Sequence, residues 1–226
     1  IFYPDIIRAL AAIKKAAARA NIAIGALAPD IGKAIEAAAD EVAAGKFDSQ
    51  FPLDMWQGGG YTCLNMNVNE VIGNRANEIL TGHKGQDTVH PNTHVNKAQS
   101  TNDTIPSATH LAIAPRIDRI AGELLNLEKV FTAKAEAFSQ TVKVGRTCWQ
   151  DALPLTLGQE FGGFASLIKR LRAKLLKLRP GCFEIVMGGS AVGTGLGADP
   201  GYREAFYKAL SEILGESVSP ADNLFD

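Results

Sequence analysis

The chain has 226 residues, with 23 Lys and Arg against 24 Asp and Glu, and a formal net charge of −1. Its hydrophobic share of 46% and charged share of 21% are ordinary for a folded domain and exclude a disordered chain. Near-neutral charge argues against a nucleic-acid-binding protein, which needs an electropositive face. Charged residues interrupt every apolar run well before ~18 residues, so we expect no transmembrane helix.

Three helices are predicted in the first third of the chain. The Ala-rich segment 4–27 places apolar residues at helical spacing. A proline opens a second helix over 29–44, and Gly45 ends it. After a glycine-containing loop, the pattern becomes helical again over 67–81 and closes near Gly82.

The longest predicted helix covers residues 104–140, where apolar residues recur every three or four positions. At ~1.5 Å per residue it would be too long for a compact small domain, and it is typical of a bundle that other subunits complete. Pro115 predicts a kink or a local break inside it. Further helices are predicted over 157–178 and 202–214, and 142–145 is the one short strand candidate. The predicted class is all-α, built on a long-helix bundle.

Three loops that are rich in short polar side chains precede the helices. The first contains Gly58–Gly60, which allow a ligand to approach the backbone, followed by Thr and Asn donors. The second ends in Ser-Thr-Asn-Asp at 100–103, N-cap residues whose helix would offer free N–H groups to a carboxylate. The third covers 145–151. Capping and turn chemistry alone explains any one of these loops.

The titratable residues of these loops do not predict a metal site or a catalytic pair. His90 and His94 are four residues apart, but Pro91 excludes a regular helix that would place both on one face. Arg146 and Asp151 are predicted to form a local ion pair.

Cysteine usage and the start of the chain bear on the cellular compartment. Cys63, Cys148 and Cys182 are far apart and odd in number, so they predict neither a disulfide framework nor a zinc site. The first residues lack the charged-then-apolar layout of a signal peptide. We therefore expect a cytoplasmic protein whose cysteines are reduced. Because the first residue is Ile1 and not Met, we also expect that the chain is trimmed or is part of a longer sequence.

Taken together, the loops resemble the signature regions of the aspartase/fumarase branch of the fumarate lyase superfamily. The matching strings are FPLDMWQGGGYTCLNMNVNEVIGNRA (51–76), VHPNTHVNKAQSTNDTIPSA (89–108), GRTCWQDALPLTLGQEF (145–161) and MGGSAVGTGLG (187–197). They follow the family's order and extend over nearly the whole chain. FPLD, QGG and HVNKAQSTND resemble aspartate ammonia-lyase more than fumarase.

The resemblance implies a helical architecture with a long central bundle, and a homotetramer whose active sites take loops from several subunits. Residues 1–102 would form an N-terminal helical domain and residues 103–226 part of the central bundle domain. The implied chemistry is a reversible anti elimination from a succinyl skeleton through an aci-carboxylate, which gives fumarate and, in aspartases, ammonia. The implied partner is a small dicarboxylate, with no organic cofactor, nucleic acid or membrane.

Site residues are carried over by position. Those that match the family's substrate-binding positions are Thr62, Ser100, Thr101, Asn102, Thr147 and Cys148. His90 and Asn92 match a second, weaker anion site described for fumarases, and Asn65 would orient its neighbours. No metal ligand is implied. The catalytic Ser loop is expected beyond Asp226, so the general base has no candidate here.

Four positions depart from the family pattern and leave the substrate open. Tyr61 and Cys63 stand for Gly and Ser, Thr93 stands for a common Asp, and Cys148 stands for His or Gln. A thiol cannot replace an imidazole as a proton relay or a Gln as a two-sided hydrogen-bonding group. The first hypothesis is therefore a carbon–nitrogen lyase acting on L-aspartate. The alternatives are a fumarase-like or other substituted-succinate lyase and, from another class, a catalytically silent structural homologue.

Overall fold

The computed structural model describes residues 3–54, 57–58 and 60–225. Contacts group the chain into two compact units, one of Ile1–Ile113 with Gly181–Asp226 and the other of Ala114–Pro180. The domain boundary predicted at residue 102 differs from this grouping and stays a prediction about the whole protein. Met55, Trp56 and Gly59, which belong to the first matching string, lie outside the described residues.

The described residues are mostly helical, which confirms the predicted class. Their six α-helices are α1 (Pro4–Ala23), α2 (Pro29–Ala43), α3 (Thr62–Thr81), α4 (Thr101–Ala137), α5 (Leu157–Leu176) and α6 (Tyr202–Leu214). Four short strands accompany them: β1 (Val142–Thr147), β2 (Gln150–Thr156), β3 (Glu184–Ile185) and β4 (Ser219–Pro220). Within this part of the chain, every helix falls short of the length and apolarity that crossing a membrane requires.

In the first unit, α1 packs against α2 and α6, and α2 packs against α3. The core is built from small and branched apolar residues, and Leu10, Ile13, Ile35 and Ile72 are fully buried in it. Many of the buried residues of α1 and α2 are alanines, small side chains of the kind that permits close helix packing. β3 pairs with β4 in parallel at one side of this unit.

The predicted ends of α2, α3 and α6 are confirmed to within one residue, and glycines explain them. α1, α4 and α5 end two to four residues before the predicted 27, 140 and 178, and α4 starts three residues before the predicted 104. Gly45, Gly82 and Gly215 follow α2, α3 and α6 with φ of 79°, 81° and 67°, the left-handed conformation that ends a helix. The predicted start of α3 at residue 67 is wrong, because the helix begins five residues earlier at Thr62. Tyr61 takes the left-handed conformation (φ 60°) that turns the chain into the helix, and a tyrosine gives no sequence signal for it.

The second unit contains residues 114–137 of α4, a β-hairpin and α5. Phe131 of α4 contacts Phe161 and Phe164 of α5, with ring centroids 6.0 and 5.7 Å apart. Phe138, directly after α4, contacts Phe161 at 5.8 Å. Thr156 and Gln159 form a reciprocal capping box at the start of α5. A Cβ at Gly158 would approach Ser139 Cα to 2.8 Å, so only glycine fits there.

Two predictions about this unit are corrected. The loop predicted for the residues after 145 is the first: β2 lies there and pairs with β1 in antiparallel fashion. The strand predicted over 142–145 is confirmed as part of β1. β2 contains Pro154 and lies mostly exposed on both faces, so it shows no alternation of apolar and polar residues. Of the kink or local break predicted at Pro115, the break is wrong, because α4 is continuous through this residue, and the kink stays a prediction.

Candidate functional site

The first turn of α4 is organised around its N-cap residue, Ser100. The Ser100 hydroxyl donates to Asn102 Oδ1 at 2.9 Å and accepts from the Asn102 backbone N–H at 3.3 Å. Because the oxygen of the Asn102 amide is engaged with Ser100, its NH2 group is the part left to face a ligand. Asn102 is exposed and Ser100 is half-buried, so this turn is open to solvent.

Asn65 links the first turn of α3 to the first turn of α4. Its Nδ2 donates to Thr101 Oγ1 at 3.1 Å, and the whole side chain is buried. Since Thr101 Oγ1 accepts this bond, its own proton is available to donate elsewhere. Thr62 lies one turn before Asn65 on the same helix, and its side chain is exposed. Two helix N-termini therefore meet at this place, each with backbone N–H groups and positive partial charge.

The buried carboxylate of Asp103 fixes the first turn of α4 through hydrogen bonds from backbone N–H groups. Its Oδ1 accepts from the Ser100 backbone N–H at 2.9 Å, and its Oδ2 accepts from the N–H groups of Gly188 and Ser190 at 3.2 and 2.9 Å. Burial raises the pKa of this carboxyl, against the opposing effect of the three N–H donors and the Lys14 charge. The contact joins two of the matching strings, since QSTND supplies the carboxylate and MGGSAVG supplies two of the N–H groups.

Lys14, on α1, is the functional candidate that the sequence analysis missed. It is fully buried (0% exposed), and its Nζ donates to Asn96 Oδ1 at 3.0 Å and Gln99 Oε1 at 2.9 Å. Burial lowers its pKa to about 7, with the nearby Asp103 carboxylate acting in the opposite direction. A signal was present, because Leu10 and Ala17 stand four residues before it and three after it on the apolar stripe of α1.

The predicted residues Thr147 and Cys148 belong to the second unit, at the end of the hairpin. Thr147 pairs with Gln150 across the strands, and Cys148 and Trp149 form a two-residue turn with φ of 47° and 64°. All of these residues are exposed, Trp149 to 95%. The predicted ion pair beside them is confirmed: Arg146 Nε lies 3.1 Å from Asp151 Oδ1.

The two histidines of the second loop have capping roles. His90 precedes a single π-helical turn, Pro91–Val95, and its Nδ1 accepts from the backbone N–H groups of Asn92 and Thr93, each at 3.2 Å. His94 Nδ1 in turn accepts from the His90 N–H at 2.9 Å. Burial, together with the nearby His90 and Lys97, lowers the pKa of His94. The role of His90 and Asn92 as a second anion site stays a prediction.

The structure thus brings Ser100, Thr101 and Asn102 together in one turn, with Asn65 bonded to it and Thr62 one turn away on α3. A cleft of about 200 Å³ opens beside this turn and is lined by Asn102, Asp103 and residues of the 186–193 loop. Over the described ranges, no three His, Cys, Asp or Glu side chains stand close enough to ligate a metal ion.

The chain is similar in sequence to known lyases. The family model described as "Lyase" matches residues 3–226. A fumarate hydratase class II of Thermus thermophilus is 49% identical over 98% of this chain and 48% of its own length. An aspartate ammonia-lyase of Bacillus subtilis is 45% identical over 99% of this chain and 47% of its own length.

A solved structure has the same fold. The fumarate lyase/delta crystallin protein of Brucella melitensis superposes with a TM-score of 0.94 at 42% identity, over 98% of this chain and 48% of that one. The chain thus spans about half the length of the relatives that it matches. With a family model that matches nearly every residue and a fold shared at this level of identity, the chain belongs to the fumarase/aspartase superfamily of lyases.

Proposed function

We propose that the full-length protein containing this chain eliminates a small group from a 2-substituted succinate to give fumarate. The first candidate substrate is L-aspartate, from which a C–N bond breaks, a Cβ proton is removed and ammonia leaves. The alternative is L-malate, from which a C–O bond breaks and water leaves. The proposal includes a cytoplasmic enzyme that needs no organic cofactor.

One observation carries the proposal: the first turn of α4 presents hydrogen-bond donors outward. Internal contacts occupy Thr101 Oγ1 and Asn102 Oδ1, which leaves the Thr101 O–H and the Asn102 NH2 to face a ligand. The backbone N–H groups of this turn add to them. Such a surface matches the oxygens of a carboxylate and requires no titrating group near neutral pH.

These donors suit the difficult part of the elimination. The Cβ proton of a succinate is weakly acidic, and its removal places a second negative charge on the adjoining carboxylate. A preorganised donor that faces such developing charge is typically worth about 3–4 kcal/mol. We propose that Thr62, Ser100, Thr101 and Asn102 bind the substrate, while a Ser loop in another part of the protein supplies the base.

The choice between aspartate and malate rests on opposing observations. FPLD and HVNKAQSTND favour an aspartase, whereas a class II fumarate hydratase is slightly more identical to this chain than the aspartate ammonia-lyase is. Cys148, at a position where the family carries His or Gln, alters the hydrogen bonding in either case. We propose that Thr147 and Cys148 reach a substrate in a site that neighbouring subunits complete.

Association into a homotetramer is part of the proposal, and the second unit supplies its support. Large apolar side chains stand exposed along both of its helices: Ile120, Leu127 and Val130 on α4, and Phe164, Leu167 and Leu171 on α5. Exposed apolar stripes of this extent usually mark an interface. We propose that copies of the same chain cover them, and light scattering on the full-length protein should give the mass of four chains.

The decisive assay measures the ultraviolet absorbance of fumarate with the full-length protein and each substrate in turn. We expect fumarate from L-aspartate and none from L-malate. Fumarate from malate alone would make the protein a fumarase. A folded tetramer that produces fumarate from no substituted succinate would overturn the proposal and favour the silent homologue.

A further inference from the structure

Lys14 has an unusual set of partners for a buried cation. Its Nζ contacts two neutral amide oxygens, Asn96 Oδ1 at 3.0 Å and Gln99 Oε1 at 2.9 Å. Whether it is protonated or neutral, this amine has at least two N–H groups to donate, and as an ammonium it has no acceptor. Both amides must therefore turn their oxygens toward Lys14 and their NH2 groups away. Gln99 Nε2 accordingly donates to the carbonyls of Val95 and Lys97.

The orientation of Asn96 sets the orientation of Asn65. Asn96 Oδ1 accepts from Asn65 Nδ2 at 3.3 Å and from Asn69 Nδ2 at 3.2 Å in addition to Lys14. If the Asn96 amide turned over, its NH2 group would face three donors at once. Asn65 therefore directs one N–H to Asn96, and its second N–H reaches Thr101 Oγ1 at 3.1 Å.

We infer that Lys14 is a positioning residue, which fixes the direction of the hydrogen bonds through Asn96 and Asn65 and so keeps the Thr101 hydroxyl a donor toward a substrate carboxylate. The inference rests on the proposed function, since it assigns how one binding group of that site acquires its polarity. It also gives a reason for burying a lysine. An apolar side chain would fill the same space but would remove one of the three donors that hold the Asn96 oxygen in place and the donor to the Gln99 oxygen, which weakens the preference for this orientation.

The rival explanation is that Lys14 only holds in place the segment that contains Asn96 and Gln99. Both explanations predict that Lys14→Met lowers activity, so a single variant does not separate them. They differ in how Lys14 couples to Thr101. If Lys14 acts through the Thr101 hydroxyl, its removal has no further effect once that hydroxyl is gone, whereas a general structural loss affects every background equally.

The test is a double-mutant cycle in the full-length protein, with kcat and KM measured for fumarate formation. Lys14→Met should lower kcat/KM by about tenfold, the usual effect of losing one oriented hydrogen bond to a charged group. In the Thr101→Val background, the same change should lower kcat/KM by less than about twofold. In the Thr62→Val background the full tenfold loss should persist. An equal loss in the Thr101→Val background would overturn the inference.

A second measurement covers two other outcomes. If Lys14→Met does not fold, Asn96→Leu replaces it in the same cycle, because it removes the oxygen that orients Asn65.

If the wild type forms no fumarate from either substrate, the proposed function fails, and the hydrogen-bond chain is then judged by thermal unfolding. Non-additive Tm changes for Lys14→Met and Asn96→Leu are expected, and additive changes would refute the chain of contacts independently of activity.

Discussion

Replacing Thr101 with valine is expected to lower kcat/KM for fumarate formation by about 100-fold while the protein stays folded. Valine has nearly the same shape as threonine but lacks the hydroxyl that we propose to donate to the substrate carboxylate. One such donor, facing charge that develops in the transition state, typically contributes a factor of ~100–1000. Steady-state rates, with circular dichroism to monitor helix content, provide the measurement.

Thr109→Val is the matched control for this variant. Thr109 lies two turns further along α4, and its hydroxyl donates to its own helix, at the Ile105 carbonyl at 2.9 Å. Its loss should leave kcat/KM within about twofold of the wild type, since surface changes of this kind are nearly neutral. Equal rates in Thr101→Val and Thr109→Val would show that the hydroxyl of Thr101 does not bind substrate.

The second large effect is expected on stability, from Asp103→Ala. The change removes the acceptor for three backbone N–H groups, those of Ser100, Gly188 and Ser190. A buried donor without a partner costs about 1–3 kcal/mol, and two of the three contacts are only partly buried and should each cost near the lower limit, so the free energy of unfolding should fall by about 3–5 kcal/mol in total. Denaturant unfolding would show it, and activity should fall in parallel because Ser100 is no longer held.

Two further variants make this result specific. Asp30→Ala removes another carboxylate from a helix first turn, but Asp30 is exposed, so its effect should stay within about 0.5 kcal/mol. Asp103→Asn keeps one acceptor oxygen and turns an NH2 group toward a backbone donor, so its loss should be intermediate. An Asp103→Ala protein as stable as Asp30→Ala would mean that the loop at 188–190 does not depend on this carboxylate.

The helices and their ends were largely predictable because local chemistry determines them. Gly45 and Gly82 end α2 and α3 through a backbone conformation that glycine adopts easily, and α6 has its predicted bounds of Tyr202–Leu214. The start of α3 was missed because Tyr61 takes the same conformation without being glycine. β2 was missed because its residues are exposed on both faces, so pairing rather than burial forms the strand.

The site was predictable in part for a similar reason. Ser100, Thr101 and Asn102 are adjacent in sequence, so their common turn follows from helix capping. The buried contacts of Lys14 and Asp103 join segments that are more than eighty residues apart, and helix periodicity alone does not reveal them. A lysine on an otherwise apolar stripe was the available clue, because burying a charged group requires specific polar partners.

The hairpin turn at Cys148 and Trp149 is a place where the sequence can change over evolutionary time without loss of the fold. Left-handed backbone costs a residue with a Cβ about 1–2 kcal/mol, and asparagine and glycine are the common occupants of such turns. Neither side chain is needed for strand pairing, which Thr147 and Gln150 maintain on either side. Mutations can therefore accumulate at the turn while the scaffold is inherited unchanged, and with Cys148 in contact with the substrate, as we propose, related enzymes would diverge in substrate here without first losing their fold.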